Sequence, residues 1–217
     1  MVARLRFFKF DPERRHQLLE AAAEEFTARG YGATSLNKLI ERPGLSKGHF
    51  YCYFDDKADL FATVLGWSWE RATPVGGLDV NRLDTEGFWP ALRRLSSESR
   101  RTAQSWPWFA GLFRHLFHPP DDPAVRRLLG ERLEQARQIQ IAIVRRGQEL
   151  GCIRRDVPED LLVTLLFGCG MTFRRWYLNH WDSLTPSQQE SLATFGFDAM
   201  RRMLEPPAGS PGDPDAI

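Results

Sequence analysis

GYGATSLNKLIERPGLSKGHFYCYFDDKADLF, residues 30–61, is the stretch whose reading decides the fold. Two short apolar-periodic runs, at 36–40 and 46–54, flank Pro43 and Gly44. Proline ends a helix because it lacks an amide hydrogen and its ring clashes with the preceding turn. Leu36, Leu39 and Ile40 share one helical face, with Thr34 or Ser35 as the cap. Beyond the break, Leu45 reads as the apolar turn residue and Ser46 as the next cap, and Phe50 and Phe54 form an inward-facing i, i+4 pair. The spacing predicts helix, short turn, helix. With both phenylalanines committed to core, Lys47, Gly48, His49, Tyr51, Cys52 and Tyr53 occupy the remaining faces.

Outward from this segment, apolar residues recur at intervals of three and four, and no β-branched run alternates with polar residues. The fold expected is all-α. A first helix starts at Asp11 and Pro12, buries Leu18, Leu19, Ala22, Ala23 and Phe26, and ends at Gly30. Another begins near Asp56 and runs through Leu60, Phe61, Val64 and Leu65 toward Trp69. Gly, Pro, Asp and Asn dominate 74–84 and mark a seam. Further helices are expected at 85–104, 106–117, 123–150, 158–180 and 186–204, the last opened by the Thr185, Pro186, Gln188 capping signal. The organisation is then a basic arm at 1–10 with Arg4, Arg6 and Lys9, a head at 11–56, a linking helix at 57–73 and a body at 74–204. The tail, 205–217, has too little apolar surface to order itself.

Composition narrows the function classes. The chain has 217 residues, is 42% apolar and carries a formal net charge of +1, so attraction to nucleic acid depends on where charges sit. Cys52, Cys152 and Cys169 are widely spaced, with no paired motif and no secretory apolar region at the start, so a reducing cytoplasm is the compartment expected. The longest apolar stretch, 161–173, is shorter than the roughly 20 residues of a membrane span. No phosphate-binding loop, nucleophile elbow, zinc helix or dinucleotide fingerprint occurs, so an enzyme is not expected. His115 and His118 lack a third ligand nearby; neither a metal nor another cofactor is expected.

Between Glu41 and Asp55 there is no acidic residue, while Arg42 and Lys47 are present, so a phosphate backbone meets no repulsion there. Lys47 and His49 have the chemistry to reach a base edge or a phosphate, and the tyrosine hydroxyls suit phosphate oxygens. Gly48 costs about 1 kcal/mol relative to alanine inside a helix, a cost that makes sense where backbone approaches a groove closely. Residues 11–66 resemble the N-terminal helix-turn-helix domain of TetR-type transcriptional regulators. The shared features are the glycine-aromatic-x-x-Thr-Ser start at 30–35, the turn, the Lys-Gly-x-Phe-Tyr-x-Tyr-Phe helix at 47–54, and Lys57 three residues on. The resemblance implies that Lys47, Gly48, His49, Tyr51 and Cys52 face bases, while Thr34, Ser35, Asn37, Tyr53 and Lys57 hold or approach the backbone; Ser46 opens the reading helix. Four positions depart from the family's habit: Leu39 and Ile40 replace an isoleucine-alanine pair, Pro43 an alanine and His49 a threonine. The last bears on which operator is read.

The body is rich in rings. Trp67, Trp106, Phe109, Phe113, Phe117, Phe173, Trp176 and Tyr177 suit an apolar effector pocket between helices, and suit plain core equally well. Gly168 and Gly170 together cost about 2 kcal/mol inside a helix, which close helix packing would offset. The family's last two long helices pair across a two-fold axis, and the resemblance therefore implies an interface at Leu162, Leu166, Gly168, Gly170, Phe195 and Ala199. Two heads about 34 Å apart read a palindrome. The expectation is a homodimeric repressor of a palindromic operator in double-stranded DNA, released by a small apolar or aromatic effector, with no membrane partner. The alternative left open is a helical ligand-binding or interaction protein whose head no longer reads DNA.

Overall fold

The computed structural model describes residues 7, 9, 11–41, 47–72 and 78–207, and every regular element among them is helical. Among the described residues nine α-helices follow one another: α1 Pro12–Ala33, α2 Leu36–Glu41, α3 Lys47–Tyr53, α4 Lys57–Ala72, α5 Phe88–Ser105, α6 Phe109–Phe113, α7 Pro123–Glu149, α8 Glu159–His180 and α9 Pro186–Leu204. Short 3-10 turns occupy Val80–Arg82, Arg114–Leu116 and Trp181–Ser183. This is the all-α fold that the periodicity predicts.

Local chemistry sets the helix ends. The Asp11 side chain accepts the Arg14 amide at 3.0 Å, and Pro12 fills the first turn. Thr185 and Gln188 form the reciprocal capping box expected of α9. At Gly30 the backbone leaves helical geometry with φ +72°, a conformation that favours glycine, so α1 turns there as its sequence signals. Two expectations shift. The helix predicted from 85 starts at Phe88 because the Asp84 carboxylate accepts the Gly87 amide at 2.7 Å and holds 85–87 as a turn. The helix predicted over 106–117 is five residues of α6 and a 3-10 turn, whose Arg114 carbonyl accepts both the Phe117 and His118 amides. Pro119 and Pro120 follow, and proline disfavours helix in the residue before it. The break at Pro43 and the chain beyond Pro207 lie outside the described residues.

Contacts divide the chain into two compact units, residues 1–72 with 102–131, and 73–101 with 132–217. One of the three crossings adjoins the 74–84 stretch; the other two fall inside α5 and α7, where composition does not change. In the first unit α1 packs on α2, α4 and α6, α2 packs on α3, and α4 packs on α6. Phe26, Phe50, Phe54 and Phe61 are fully buried there. Phe7, in the predicted basic arm, is buried as well, 4.9 Å from the Phe54 ring and 5.9 Å from Tyr53. The second unit centres on Phe88, Val144, Cys152, Ile153, Leu162, Val163, Leu166 and Leu204, with α8 against α9.

Candidate nucleic-acid interface

The sequence of α3 sorts its own side chains. Phe50 and Phe54, one turn apart, have no exposed surface and lie 5.2 Å apart ring to ring. The pair removes two of the segment's four rings from water, and each buried aromatic contributes on the order of 1.5–3 kcal/mol of hydrophobic stabilisation. Tyr51 projects the other way: half of its surface is exposed, and its ring stands edge-on to Phe50 at 5.4 Å. Gly48 is exposed, and Cys52 and Tyr53 are half-buried. Ser46 and the side chains of Lys47 and His49 lie outside the described residues.

In α2, Asn37 and Lys38 are exposed while Leu39 and Ile40 are core, and Ser35, just before it, is half-buried. Ile40, larger than the alanine expected at its position, is accommodated by burial in this unit. Lys38, which the sequence reading passed over, adds an exposed cation; its signal was its spacing from Leu36 and Leu39, opposite the apolar face.

Thr34 and Lys57 do different work from that expected of them. Thr34 is buried, and its hydroxyl donates to the Gly30 carbonyl at 2.7 Å. The Lys57 ammonium donates to the carbonyls of Tyr31 at 2.7 Å, Gly32 at 3.3 Å and Thr34 at 3.3 Å. An ammonium has three donors, and here three carbonyls of one turn receive them. The physical reason is the left-handed step at Gly30, which leaves the last carbonyls of α1 without helical partners. Both residues therefore fix the turn from which α2 departs. Asp56 opens α4 by accepting the Asp59 amide at 2.8 Å, and burial raises the Asp59 carboxyl above its ordinary range while the Asp55 amide donates to it.

The residues expected to line a pocket do not gather within one unit. Trp67 stacks with Trp106 at 5.8 Å and with Trp108 at 5.5 Å, and Phe109 stacks on Phe113 at 4.4 Å, all in the first unit; Phe117 is half-buried. Phe173, Trp176 and Tyr177 belong to the second. There Phe173 packs against Gly196, where an added Cβ would stand 2.8 Å from its ring. Tyr177 donates to the Gln189 carbonyl at 2.9 Å, and burial pushes its phenol up to about 12. Trp176 is exposed and stacks on His180 at 4.2 Å.

The residues expected at an interface on α8 do not share one face. Leu162 and Leu166 are buried in the subunit's own core, and the exposed apolar positions are Leu161 and Leu165, with Gly168, Cys169 and Trp176 below them. One residue rotates a helical position by 100°, enough to exchange a core face for an open one. Gly168 has nothing within 4 Å of an added Cβ, whereas Gly170 looks toward Met200 of α9, so the two glycines do not share a face. An open groove of about 490 Å³ runs along this side between Thr164 and Phe173. On α9, Phe195 is the most exposed large apolar side chain among the described residues, and Ala199 is exposed one turn on. No described cluster of His, Cys, Asp and Glu has the make-up of a metal site, and no described helix is long and apolar enough to cross a membrane.

Residues 18–64 match the family described as bacterial regulatory proteins, tetR family. Over 53 residues the chain is 45% identical to the HTH-type transcriptional activator FasR of Mycolicibacterium smegmatis, covering 24% of each protein. Over 156 residues it is 28% identical to the HTH-type transcriptional repressor AcnR of Corynebacterium diphtheriae, covering 70% of this chain and 75% of that one. The chain thus spans about a quarter of the first relative's length and three quarters of the second's. Among solved structures, the fold is similar to that of the regulator FadR of Bacillus subtilis in complex with stearoyl-CoA, with a TM-score of 0.66 at 18% identity over 85% of this chain and 96% of that one.

Proposed function

We propose that this chain is a TetR-family regulator, a homodimeric transcriptional repressor whose two α3 helices read a palindromic operator; the match of residues 18–64 to that family supports the reading. One observation carries the reading: α3 buries Phe50 and Phe54 completely while presenting Gly48 and Tyr51 outward, on a segment without acidic side chains. Tyr51 anchors by its hydroxyl and ring edge, Gly48 admits the backbone close to the groove, and Asn37 and Lys38 flank it from α2. Lys47 and His49 complete the base-facing set by position in the motif. Thr34 and Lys57 support this surface from behind by holding the turn.

The dimer is formed through the open apolar sides of α8 and α9. Leu161, Leu165 and Trp176 at helical spacing, with Phe195 and Ala199, make a surface whose exposure costs hydrophobic free energy in a lone subunit. A second copy that meets it isologously buries both surfaces at once and sets two heads for one palindrome. The effector is a small apolar or aromatic molecule taken up by the aromatic body, and it releases the operator by favouring a different spacing of heads. The Bacillus subtilis regulator of similar fold binds stearoyl-CoA, whose acyl chain, though not its charged CoA moiety, is apolar.

Selection of binding sites from random duplexes with the purified full chain tests the proposal. The expected result is a palindromic consensus whose affinity falls steeply with salt. Binding that shows neither sequence preference nor salt dependence overturns it.

A further inference from the structure

The unit that carries α3 also holds a polar link that no DNA-facing residue uses. Tyr31 follows Gly30, and its hydroxyl donates to Oδ2 of Asp122 at 2.8 Å. The other carboxylate oxygen, Oδ1, accepts the amides of Ala124 at 2.9 Å and Val125 at 3.2 Å. One side chain therefore caps the first turn of α7 and grips the last turn of α1. The charges agree with the geometry. The start of a helix carries positive partial charge, and Lys57 sits 4.6 Å over the Tyr31 ring. The Tyr31 hydrogen bond, with the two capping amides, holds the Asp122 carboxyl below its ordinary range. Burial, then the hydrogen bond and charge of Asp122, push the Tyr31 phenol well above its own, so it remains a donor.

A second tie lies four residues earlier. Thr27 donates from Oγ1 to the Trp108 carbonyl at 3.0 Å, and Gly111 packs against the Thr27 side chain so closely that a Cβ there would collide with it. Residues 108–125 are thus fastened to α1 at Thr27, before the step at Gly30, and at Tyr31, after it. From Tyr31 the path to α2 is short, through the Thr34 hydroxyl on the Gly30 carbonyl and the Lys57 ammonium on the carbonyls of 31, 32 and 34.

We propose that Tyr31 and Asp122 are positioning residues for operator reading: their hydrogen bond sets the 30–34 turn, and through it the pose of α2 and α3, according to where the 108–125 segment stands. The inference rests on the DNA-reading role proposed above and deepens it by naming the link through which displacement of that segment reaches the reading helix. Tyr31→Phe removes only the hydroxyl. Asp122→Ser keeps a capping oxygen and withdraws the one that reaches Tyr31.

The test compares both single variants and the double in the full chain, using the duplex selected by the wild type. Each single variant is expected to bind at least about five-fold more weakly with its dimer intact, in the range of ordinary site-to-site coupling. The double is expected to fall no more than about two-fold below either single, because both remove one interaction. Wild-type affinity in both singles, or losses that simply multiply, overturns the proposal. A second measurement needs no DNA. The amides of Thr34 and Leu39, which bond to the carbonyls of Gly30 and Ser35, are expected to exchange hydrogen faster in Tyr31→Phe while α8 amides do not change. Unchanged exchange at those two amides overturns the link even in a chain that binds no operator, an outcome that by itself sinks only the DNA reading.

Discussion

α3 and α8 both place apolar side chains around most of their circumference, yet they differ in how the fold uses them. In α3 the apolar residues of one face, Phe50 and Phe54, have no exposed surface, and the exposed ring, Tyr51, is amphipathic. In α8 the apolar residues split between Leu162, Val163 and Leu166 in the core and Leu161, Leu165 and Trp176 in the open. A short helix with one polar-tipped outer face is suited to a wet, charged partner, whereas a long helix with a second apolar face is suited to another apolar surface.

The largest expected effect breaks the buried half of the comparison. Phe50→Ala or Phe54→Ala should cost about 3–5 kcal/mol in thermal or denaturant unfolding, and Leu162→Ala about 2–5 kcal/mol by the same cavity argument. Retained stability in those variants would mean that the segregation described for α3 and α8 is wrong. Next comes the open face of α8 and α9. Leu165→Glu combined with Phe195→Glu should leave the fold intact and halve the mass seen by sedimentation, while operator affinity falls by about 100-fold or more as the second head is lost.

A smaller effect isolates the outer face of α3. Tyr51→Ala should lower operator affinity by about 1–3 kcal/mol, in line with a groove contact, with an unchanged melting temperature and an unchanged dimer. A thiol probe sharpens the other side. Cys152 is buried, Cys52 half-buried and Cys169 exposed on the apolar side of α8, so a maleimide should label Cys169 in the monomeric variant and be excluded from it in the dimer. Equal labelling in both forms would remove α8 from the interface.

The smallest expected effect is one of pH. His115 lies edge-on to Phe61 at 5.1 Å, and burial, with a smaller contribution from the charge of His118, holds its imidazole below the usual value. The folded state then binds fewer protons than the unfolded one, so the stabilisation is present above the unfolded value near 6.5 and is lost as pH falls below it. A modest drop in melting temperature on acidification below that point should flatten in His115→Gln; an unchanged slope would take His115 out of the account.

Much of the first unit was legible because its signals are local. Gly30 turns α1, Asp11 caps it, and Phe50 and Phe54 are paired by spacing alone; Thr185 caps α9 in the second unit by the same kind of local signal. The roles of Thr34 and Lys57 were not legible, since motif position indicates where a side chain begins and not which carbonyls it meets. The partition of α8 escaped for another reason. Residues 161–163 and 165–167 are all apolar, so periodicity has no polar face against which to set a phase.

By itself the sequence determined the all-α class, the capped starts of α1 and α9, and the helix pair ending in KGHFYCYF, because capping and i, i+4 spacing act over a few residues. Tertiary structure alone decided that Leu162 is core while Leu161 is open, that Phe173 packs on Gly196, and that Tyr31 meets Asp122 across 91 positions of chain. Those outcomes depend on which helix packs against which. Such packing is set by the summed burial and close fit of many side chains, and no single stretch of sequence contains it.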